Sequence, residues 1–187
     1  MIVLFGPVIV VLFVAWPLVV FNRLVKLRAQ ADAAWADIDV QLKRRHDLIP
    51  NLVETVKGYA AHESTTFETV TEARERALDP GGPESRGEAE GALGQALRGL
   101  FAVAENYPQL RAAENFAQLQ TEISHVEDQI QLSRRYYNAV VSDLNVRIAQ
   151  FPSNLVAGLG GFQTREFFAA GSDERGSPEV SFGSRSS

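Results

Sequence analysis

Few residues of this chain have the types and spacing that chemistry requires, and the first candidate is an incomplete zinc-protease motif. His62-Glu63 begins as the H-E-x-x-H motif does, but Thr66 stands where the second zinc-binding histidine must be. The other histidines, His46 and His125, lie far away in the sequence, so the three could bind one metal ion only if folding brought them together. We therefore predict no metal site and no cofactor.

A second group of reactive side chains lies at Arg44, Arg45, His46 and Asp47. Adjacent cationic, basic and acidic groups could form an unrecognised hydrolase-type site. However, the sequence contains no nucleophile elbow, no phosphate-binding loop and no dinucleotide fingerprint. It also contains no cysteine, which excludes thiolate chemistry. We predict that the protein is not an enzyme, and a site at Arg44–Asp47 is the alternative.

Arg45 is unusual because it falls on the apolar stripe of a predicted helix. A buried charge is tolerated only when it is paired. In an antiparallel helix pair, the facing part of the second long helix makes Glu127 or Asp128 the candidate partner. The alternative is that the arginine extends past the seam to reach water. If it is paired, charge reversal at Arg45 should lower the melting temperature, and matching reversal at the carboxylate should restore it.

One long amphipathic helix is predicted to position Arg45. Over residues 22–78, apolar and small residues recur at steps of three and four, the period of one helix face. Pro50 leaves two readings open, because the chain either turns over at 45–50 or bends and continues. The stripe keeps its phase across Pro50 and no glycine offers a turn there, which favours one kinked helix over 22–78.

The rest of the chain is predicted to return along this helix. The elements are a loop at 79–85, a short helix at 86–106, a second long helix at 108–150 and a short C-terminal helix at 153–160. The two long helices share one period and can pack antiparallel. The predicted fold class is therefore all-α, an antiparallel bundle over residues 22–168. Residues 171–187 are rich in Gly, Ser and charge, which predicts a disordered tail.

An uncharged apolar stretch precedes the bundle, from Ile2 to Phe21. As a helix, about 20 residues span about 30 Å, enough to cross a bilayer. A cleaved signal peptide is disfavoured, since no basic residue precedes the run and bulky residues occupy the cleavage positions. A buried core helix is disfavoured because no face is polar. We predict a transmembrane anchor at 1–21 that continues into the bundle.

Charge gives the orientation and excludes one class of partner. Arg23, Lys26 and Arg28 directly follow the apolar stretch, so the positive-inside rule places the bulk of the chain in the cytoplasm as a single-pass membrane protein. The formal net charge of −5 disfavours a nucleic-acid binder. The predicted partner is the lipid bilayer, and the sequence leaves the oligomeric state open.

Five bulky apolar residues follow the second long helix: Leu155, Leu159, Phe162, Phe167 and Phe168. Two readings are open. These residues either plug the base of the bundle, which is the simpler reading and slightly favoured, or touch the bilayer interface.

Several segments resemble the bacterial LemA family. They are the run from Trp35 to Ala60, Glu114-Asn115-Phe116, Arg134 to Asn138, and Phe151 to Leu159. The resemblance covers nearly the whole chain and implies one N-terminal membrane helix, an all-α bundle at the cell membrane and no established activity. The chain departs from the family at Gly160, where the family usually places a bulky aromatic.

The resemblance also implies a kind of partner. Family members are often encoded beside membrane zinc metalloproteases or small membrane-associated proteins, which indicates an adaptor role. The leading hypothesis is therefore a non-enzymatic, membrane-anchored scaffold or adaptor at the inner face of a bacterial membrane. The alternatives are the enzyme described above and a lipid-interface or membrane-organising protein that acts through the final aromatic segment.

Overall fold

The structure, a computed structural model, describes residues 2–78 and 81–168, with side chains at residue 13 and from residue 15 onward in those ranges. The residues in these two ranges form six helices: α1 Ile2–Lys57, α2 Ser64–Leu78, α3 Pro83–Glu105, α4 Pro108–Arg111, α5 Glu114–Ala149 and α6 Ser153–Leu159. The part of the chain so described contains no β-strand. The predicted all-α class is confirmed, while the predicted tail at 171–187 and part of the loop at 79–85 lie outside the described residues.

α1 is one continuous helix of 56 residues. Its backbone stays helical through Pro50, so the chain does not turn over at 45–50. Leu42, Ile49 and Leu52 are all buried, and the apolar stripe therefore keeps its phase across the proline. Of the two alternatives, the helix that continues through Pro50 is therefore the correct one.

The prediction of a single helix over 22–78 is wrong beyond Lys57, where the chain reverses direction. The Ala60 amide donates to the Val56 carbonyl at 2.9 Å and closes the turn. α2 then runs back beside α1, and Arg74 Nε donates to the His46 carbonyl oxygen at 3.0 Å. Both Val56 and Ala60 are buried, so the apolar spacing persists through the turn and does not reveal it.

The other helices differ from the predicted spans at their ends. α3 begins at Pro83, three residues earlier than predicted, because a proline in the first turn lacks an amide that would need a partner. The predicted helix at 108–150 is divided after α4, since Ala113 adopts an extended conformation with φ −74° and ψ 123° before α5 starts.

α1 and α5 pack antiparallel along the bundle. Leu24 of α1 and Leu144 of α5 share a core that we call the base, near the uncharged stretch. Val56 and Phe116 share the core at the opposite, distal end. α2 and α3 pack against each other and complete that distal core. Leu110 of α4 lies in the same core, so the distal half of the bundle is built from five helices, α1 to α5.

Residues 162–168, which we call the C-terminal segment, run back from the base between α1 and α5. Asn145 exchanges two hydrogen bonds of 2.9 Å with the amide and carbonyl of Arg165. Asn138 does the same with Phe168, at 3.1 and 2.9 Å. Seven residues of helix and three residues of extended chain both span about 10 Å. The spacing of the two asparagines therefore matches peptide groups three residues apart.

Tyr137 also holds the C-terminal segment, because its hydroxyl donates to the Glu166 carbonyl at 3.0 Å. Burial raises the pKa of Tyr137 above its ordinary value of 10.0, since the ionised phenol would lose its hydration. The unfolded chain therefore loses this proton first as the pH rises. The stability that Tyr137 provides is fully present below its unfolded pKa and is lost as the pH rises through the folded pKa.

We expect the free energy of unfolding to fall as the pH rises past about 10, the ordinary pKa of tyrosine. Tyr137→Phe should reduce this fall, because phenylalanine has no proton to lose. Urea denaturation of both chains at a series of pH values measures the difference. An equal pH dependence in the two chains would show that another group is responsible.

The predicted anchor at 1–21 falls largely on side chains outside the described residues, which are those of residues 1–12 and 14. Within the residues that the structure does describe, no helix is both long enough and apolar enough to cross a membrane. The anchor with limits Ile2 and Phe21 therefore stays a prediction.

Candidate functional site: a buried arginine cluster and the base of the bundle

Arg45 lies where α1, α3 and α5 meet, and only 1% of it is exposed. Its Nη1 donates to Glu127 Oε2 of α5 at 2.6 Å. Its Nη2 donates to the carboxylate of Glu90 on α3 and, at 3.2 Å, to the Glu90 carbonyl oxygen. Of the two partners suggested by the sequence, the structure brings Glu127 to Arg45, whereas Asp128 is exposed. Two carboxylates and a carbonyl thus replace the water that the buried guanidinium has lost.

Glu90 is the partner that the sequence analysis missed. Its side chain is 4% exposed, and its Oε1 lies 2.9 Å from Nε2 of His46. Gly87, Glu90 and Leu93 are all buried and stand three residues apart, so Glu90 occupies the inward stripe of α3. Glu90 could have been identified from the sequence, because it is a carboxylate three residues before Leu93 on the same helix face. Arg45 was identified in the same way, as a charge on an apolar face.

The charge-reversal experiment has a new expected result because two carboxylates share Arg45. Arg45→Glu should still lower the melting temperature. Adding Glu127→Arg should not restore it, since the buried Glu90 would then face the new carboxylate at position 45. Thermal unfolding of the single and double variants, followed by circular dichroism, measures this. Full recovery in the double variant would contradict the role given to Glu90.

A small pocket adjoins Arg45 between α3 and α5. Its volume is about 90 Å³, and Gly91 and Gly94 of α3 form part of its wall together with Glu90 and Glu127. Ordinary ligand pockets have volumes of about 300–1,000 Å³. This pocket therefore has room for a few water molecules or a very small ligand.

The four residues suggested as a hydrolase site do not converge. Arg45 and His46 are buried and face Glu90, whereas Arg44 and Asp47 are exposed. Asp47 pairs with Lys43 at 2.6 Å, and the hydrogen bond from Lys43 lowers the pKa of the Asp47 carboxyl. The structure does not bring all four side chains to one point, although His46 and Asp47 both line a cavity of about 370 Å³.

The structure also separates the three histidines. His46 is buried, while His62 and His125 are exposed. Among the described residues, no three side chains of His, Asp or Glu are grouped as a metal ion would need.

The five apolar residues predicted at the base fall into two sets. Phe162 and Phe168 are 9% and 2% exposed, and their rings pack against Phe21 and Trp35 at centroid distances of 5.5 and 6.0 Å. The exposed set is Leu155, Leu159 and Phe167, with 59%, 93% and 48% exposed. The plug reading therefore describes Phe162, which lies in the base core. It is wrong for Phe168, which is buried farther from the base beside Tyr137, and for the exposed set.

Two glycines shape the turn between α6 and the C-terminal segment. Gly161 has φ +66°, in the left-handed region that glycine adopts without a steric penalty. A Cβ on Gly160 would lie 2.7 Å from the Phe162 ring and 3.1 Å from the Phe21 ring. The Phe21 and Phe162 rings therefore occupy the space beside Gly160, the position at which the LemA family usually has a bulky aromatic residue.

Comparison with known proteins decides the family. The model of the LemA family matches residues 34–182. The chain belongs to the LemA family. The match includes α2 to α6 and most of the bundle part of α1, and it confirms the resemblance found in the sequence.

The LemA-family relatives of this chain include magnetosome proteins. Magnetosome protein MamQ 2 of Paramagnetospirillum magneticum is 28% identical over 85% of this chain and 68% of the relative. Magnetosome protein MamQ of Magnetospirillum gryphiswaldense is 27% identical over 84% of this chain and 68% of the relative. Protein LemA of Metamycoplasma hominis is 29% identical over 73% of this chain and 63% of the relative.

The segments that carry the LemA resemblance hold the contacts described above. The run from Trp35 to Ala60 supplies Arg45 and His46 to the buried cluster. The segment from Arg134 to Asn138 supplies two of the side chains that hold the C-terminal segment. In this LemA-family chain, one recognisable motif therefore supplies contacts from α1 to other helices, and another supplies contacts from α5 to the C-terminal segment.

Proposed function

We propose that this LemA-family chain is a membrane-anchored, non-enzymatic scaffold or adaptor for partner proteins at the inner face of a bacterial cell membrane. The observation that carries the proposal is the continuity of α1, which joins the uncharged residues 2–21 to the bundle core without a break. With Phe21 at the bilayer surface, the part from Asn22 to Lys57 would extend about 50 Å at about 1.5 Å per residue. A continuous helix would transmit the direction of the anchor to the whole bundle.

The charges around the start of the bundle support the cytoplasmic orientation. Arg23, Lys26 and Arg28 follow the apolar stretch, and the first carboxylate of α1 is Asp32. The positive-inside rule retains such basic flanks on the cytoplasmic side. We therefore propose a single-pass topology with the bundle in the cytoplasm.

The non-enzymatic part of the proposal is supported by the geometry around Arg45. The pocket beside Arg45 is only about 90 Å³, and Arg44 lies outside it in water. Glu90 and Glu127 bind Arg45 directly, so the cluster has a structural use that accounts for its charges. The rival proposal, a hydrolase at Arg44–Asp47, would require these side chains to rearrange.

The proposed partner is a membrane protein, and a membrane metalloprotease is the first candidate because family members are often encoded beside one. The names of the relatives, magnetosome protein and protein LemA, contain no activity that could be transferred. Capture of the partner from native membranes is therefore the informative experiment.

Deleting residues 2–21 should release the chain from bacterial membranes, because the remaining sequence has no comparably long apolar run. The full chain should stay in the membrane pellet after alkaline carbonate extraction, and the deletion variant should appear in the supernatant. Immunoblotting of both fractions measures the distribution. Release of the full chain by carbonate would contradict the anchor.

A matched control separates anchoring from partner binding. In a third variant, residues 2–21 are replaced by an unrelated single-pass membrane helix of equal length. After crosslinking in native membranes, this variant and the full chain should capture the same membrane protein, while the deletion variant should capture much less. Failure of all three to capture any protein would argue against an adaptor.

A further inference from the structure

Three large apolar side chains near the base are exposed without an evident structural use. Phe151, Leu155 and Leu159 are 74%, 59% and 93% exposed. Leu155 and Leu159 stand four residues apart and therefore share one face of α6. α6 packs on α1 and α5, and its buried residue is Ala157. The outward face of α6 is thus apolar, and we call these three side chains the basal surface.

The basal surface lies at the level where the uncharged stretch of α1 ends. Gly160, the neighbour of Leu159, sits against the Phe21 ring, since a Cβ there would be 3.1 Å from it. Phe162 packs on the same ring at a centroid distance of 5.5 Å. Trp16 and Leu18, in the preceding turn and a half of α1, are 42% and 61% exposed. The end of α6 therefore lies beside the end of the uncharged stretch of α1.

Basic residues outnumber acidic ones near the base. Residues 22–31 and 143–164 contain four basic residues, Arg23, Lys26, Arg28 and Arg147, and one carboxylate, Asp143. The whole chain, by contrast, carries a net charge of −5. Arg28 lies 5.3 Å from the Phe162 ring, so this cation lies beside the apolar contacts of the base. A belt of cations beside an exposed apolar face is the pattern of a segment that binds an anionic membrane surface.

We propose that the basal surface inserts into the interfacial layer of an anionic phospholipid bilayer, while the basic belt binds the lipid phosphates. The inference rests on the proposed anchor, since that bilayer is the one that α1 enters. The basal surface adds a second contact beside the anchor. One helix alone would leave the bundle free to rotate about its axis, whereas two contacts hold one side of the bundle toward the membrane.

Single-cysteine labelling tests this directly, because the chain contains no cysteine of its own. The full chain with Leu159→Cys, labelled with the polarity-sensitive dye NBD, is reconstituted into vesicles of phosphatidylcholine and phosphatidylglycerol. The matched control is Leu132→Cys, since Leu132 is 56% exposed on α5 and lies about 25 Å from its basal end. Thermal unfolding of both labelled chains checks that each is folded.

The expected result is a blue-shifted emission for the label at position 159 and loss of most of it to lipids brominated on the upper acyl chain. The control should keep the emission of a label in water. Replacing phosphatidylglycerol by phosphatidylcholine should weaken the quenching at position 159. Equal, water-like emission at both positions would overturn the inference.

Two further outcomes would also overturn it and are distinguishable. A blue shift at position 159 without quenching by brominated lipid would mean that protein, such as a second copy of the chain, covers the basal surface. Flotation of the vesicles in the same samples reports on the anchor separately. A chain that floats with the vesicles but keeps a water-exposed label retains the proposed function and loses only this inference, whereas a chain that does not float loses both.

Discussion

Replacing Arg45 by methionine is expected to destabilise the bundle by about 3–5 kcal/mol, because it leaves a buried carboxylate without its cation. Glu90 has 4% of its side chain exposed and would remain beside His46 with the guanidinium gone. Methionine fills most of the arginine volume, so the loss reports on charge rather than on a cavity. Urea unfolding of the detergent-solubilised full chain, followed by circular dichroism, measures the free energy.

Two matched variants separate the buried carboxylate from the exposed one. Glu127 has 41% of its side chain exposed, so Glu127→Gln should cost at most about 1 kcal/mol. The double variant Arg45→Met with Glu90→Gln removes both buried charges and should recover most of the loss, since a neutral pair does not need compensation. A small effect of Arg45→Met alone, or no recovery in the double variant, would show that water solvates Glu90 in the bundle.

The Arg45 cluster shows how far the sequence determines the site. The apolar stripe of α1 identified Arg45, and antiparallel pairing with α5 led to Glu127, because both depend on helical period alone. Glu90 depends on the rotation of α3, and alanines and glycines around the whole helix make that rotation hard to read from the sequence. The sequence pattern did not separate Glu127 from its neighbour Asp128. A helix turns by about 100° per residue, so only one of the two side chains can face Arg45.

The fold, like the site, could be predicted from the sequence only in part. Periodicity predicted the two long antiparallel helices, but it did not reveal the end of α1 at Lys57, because Val56 and Ala60 continue the apolar spacing into the turn. The C-terminal segment has no period of its own. Its path depends on Asn138 and Asn145, which bind peptide groups of Phe168 and Arg165, and such contacts have no sequence pattern.

Phe168→Ala is expected to destabilise the bundle by about 3–5 kcal/mol, the usual range for a buried phenylalanine. Its ring is 2% exposed and packs against Trp35 at a centroid distance of 6.0 Å, with Arg134 on its face at 5.3 Å. Phe167 is the matched control, because it is adjacent in sequence but 48% exposed, and Phe167→Ala should cost within about 0.5 kcal/mol. Equal effects of the two substitutions would mean that the C-terminal segment does not bind between α1 and α5.

Whether the C-terminal segment binds as one unit is decided by combining Phe168→Ala with Asn145→Ala. Asn145→Ala alone should cost about 1–3 kcal/mol, since it removes both hydrogen bonds to Arg165 and leaves that peptide group unpaired. If the segment detaches as a whole, either substitution releases the other contact too, and the double variant loses less than the sum of the single losses. Independent contacts would instead add to within about 0.5 kcal/mol. We expect the smaller loss, because Arg165 and Phe168 are only three positions apart in the chain. Among the hydrogen bonds described, none lies within the segment to keep one end in place when the other is released.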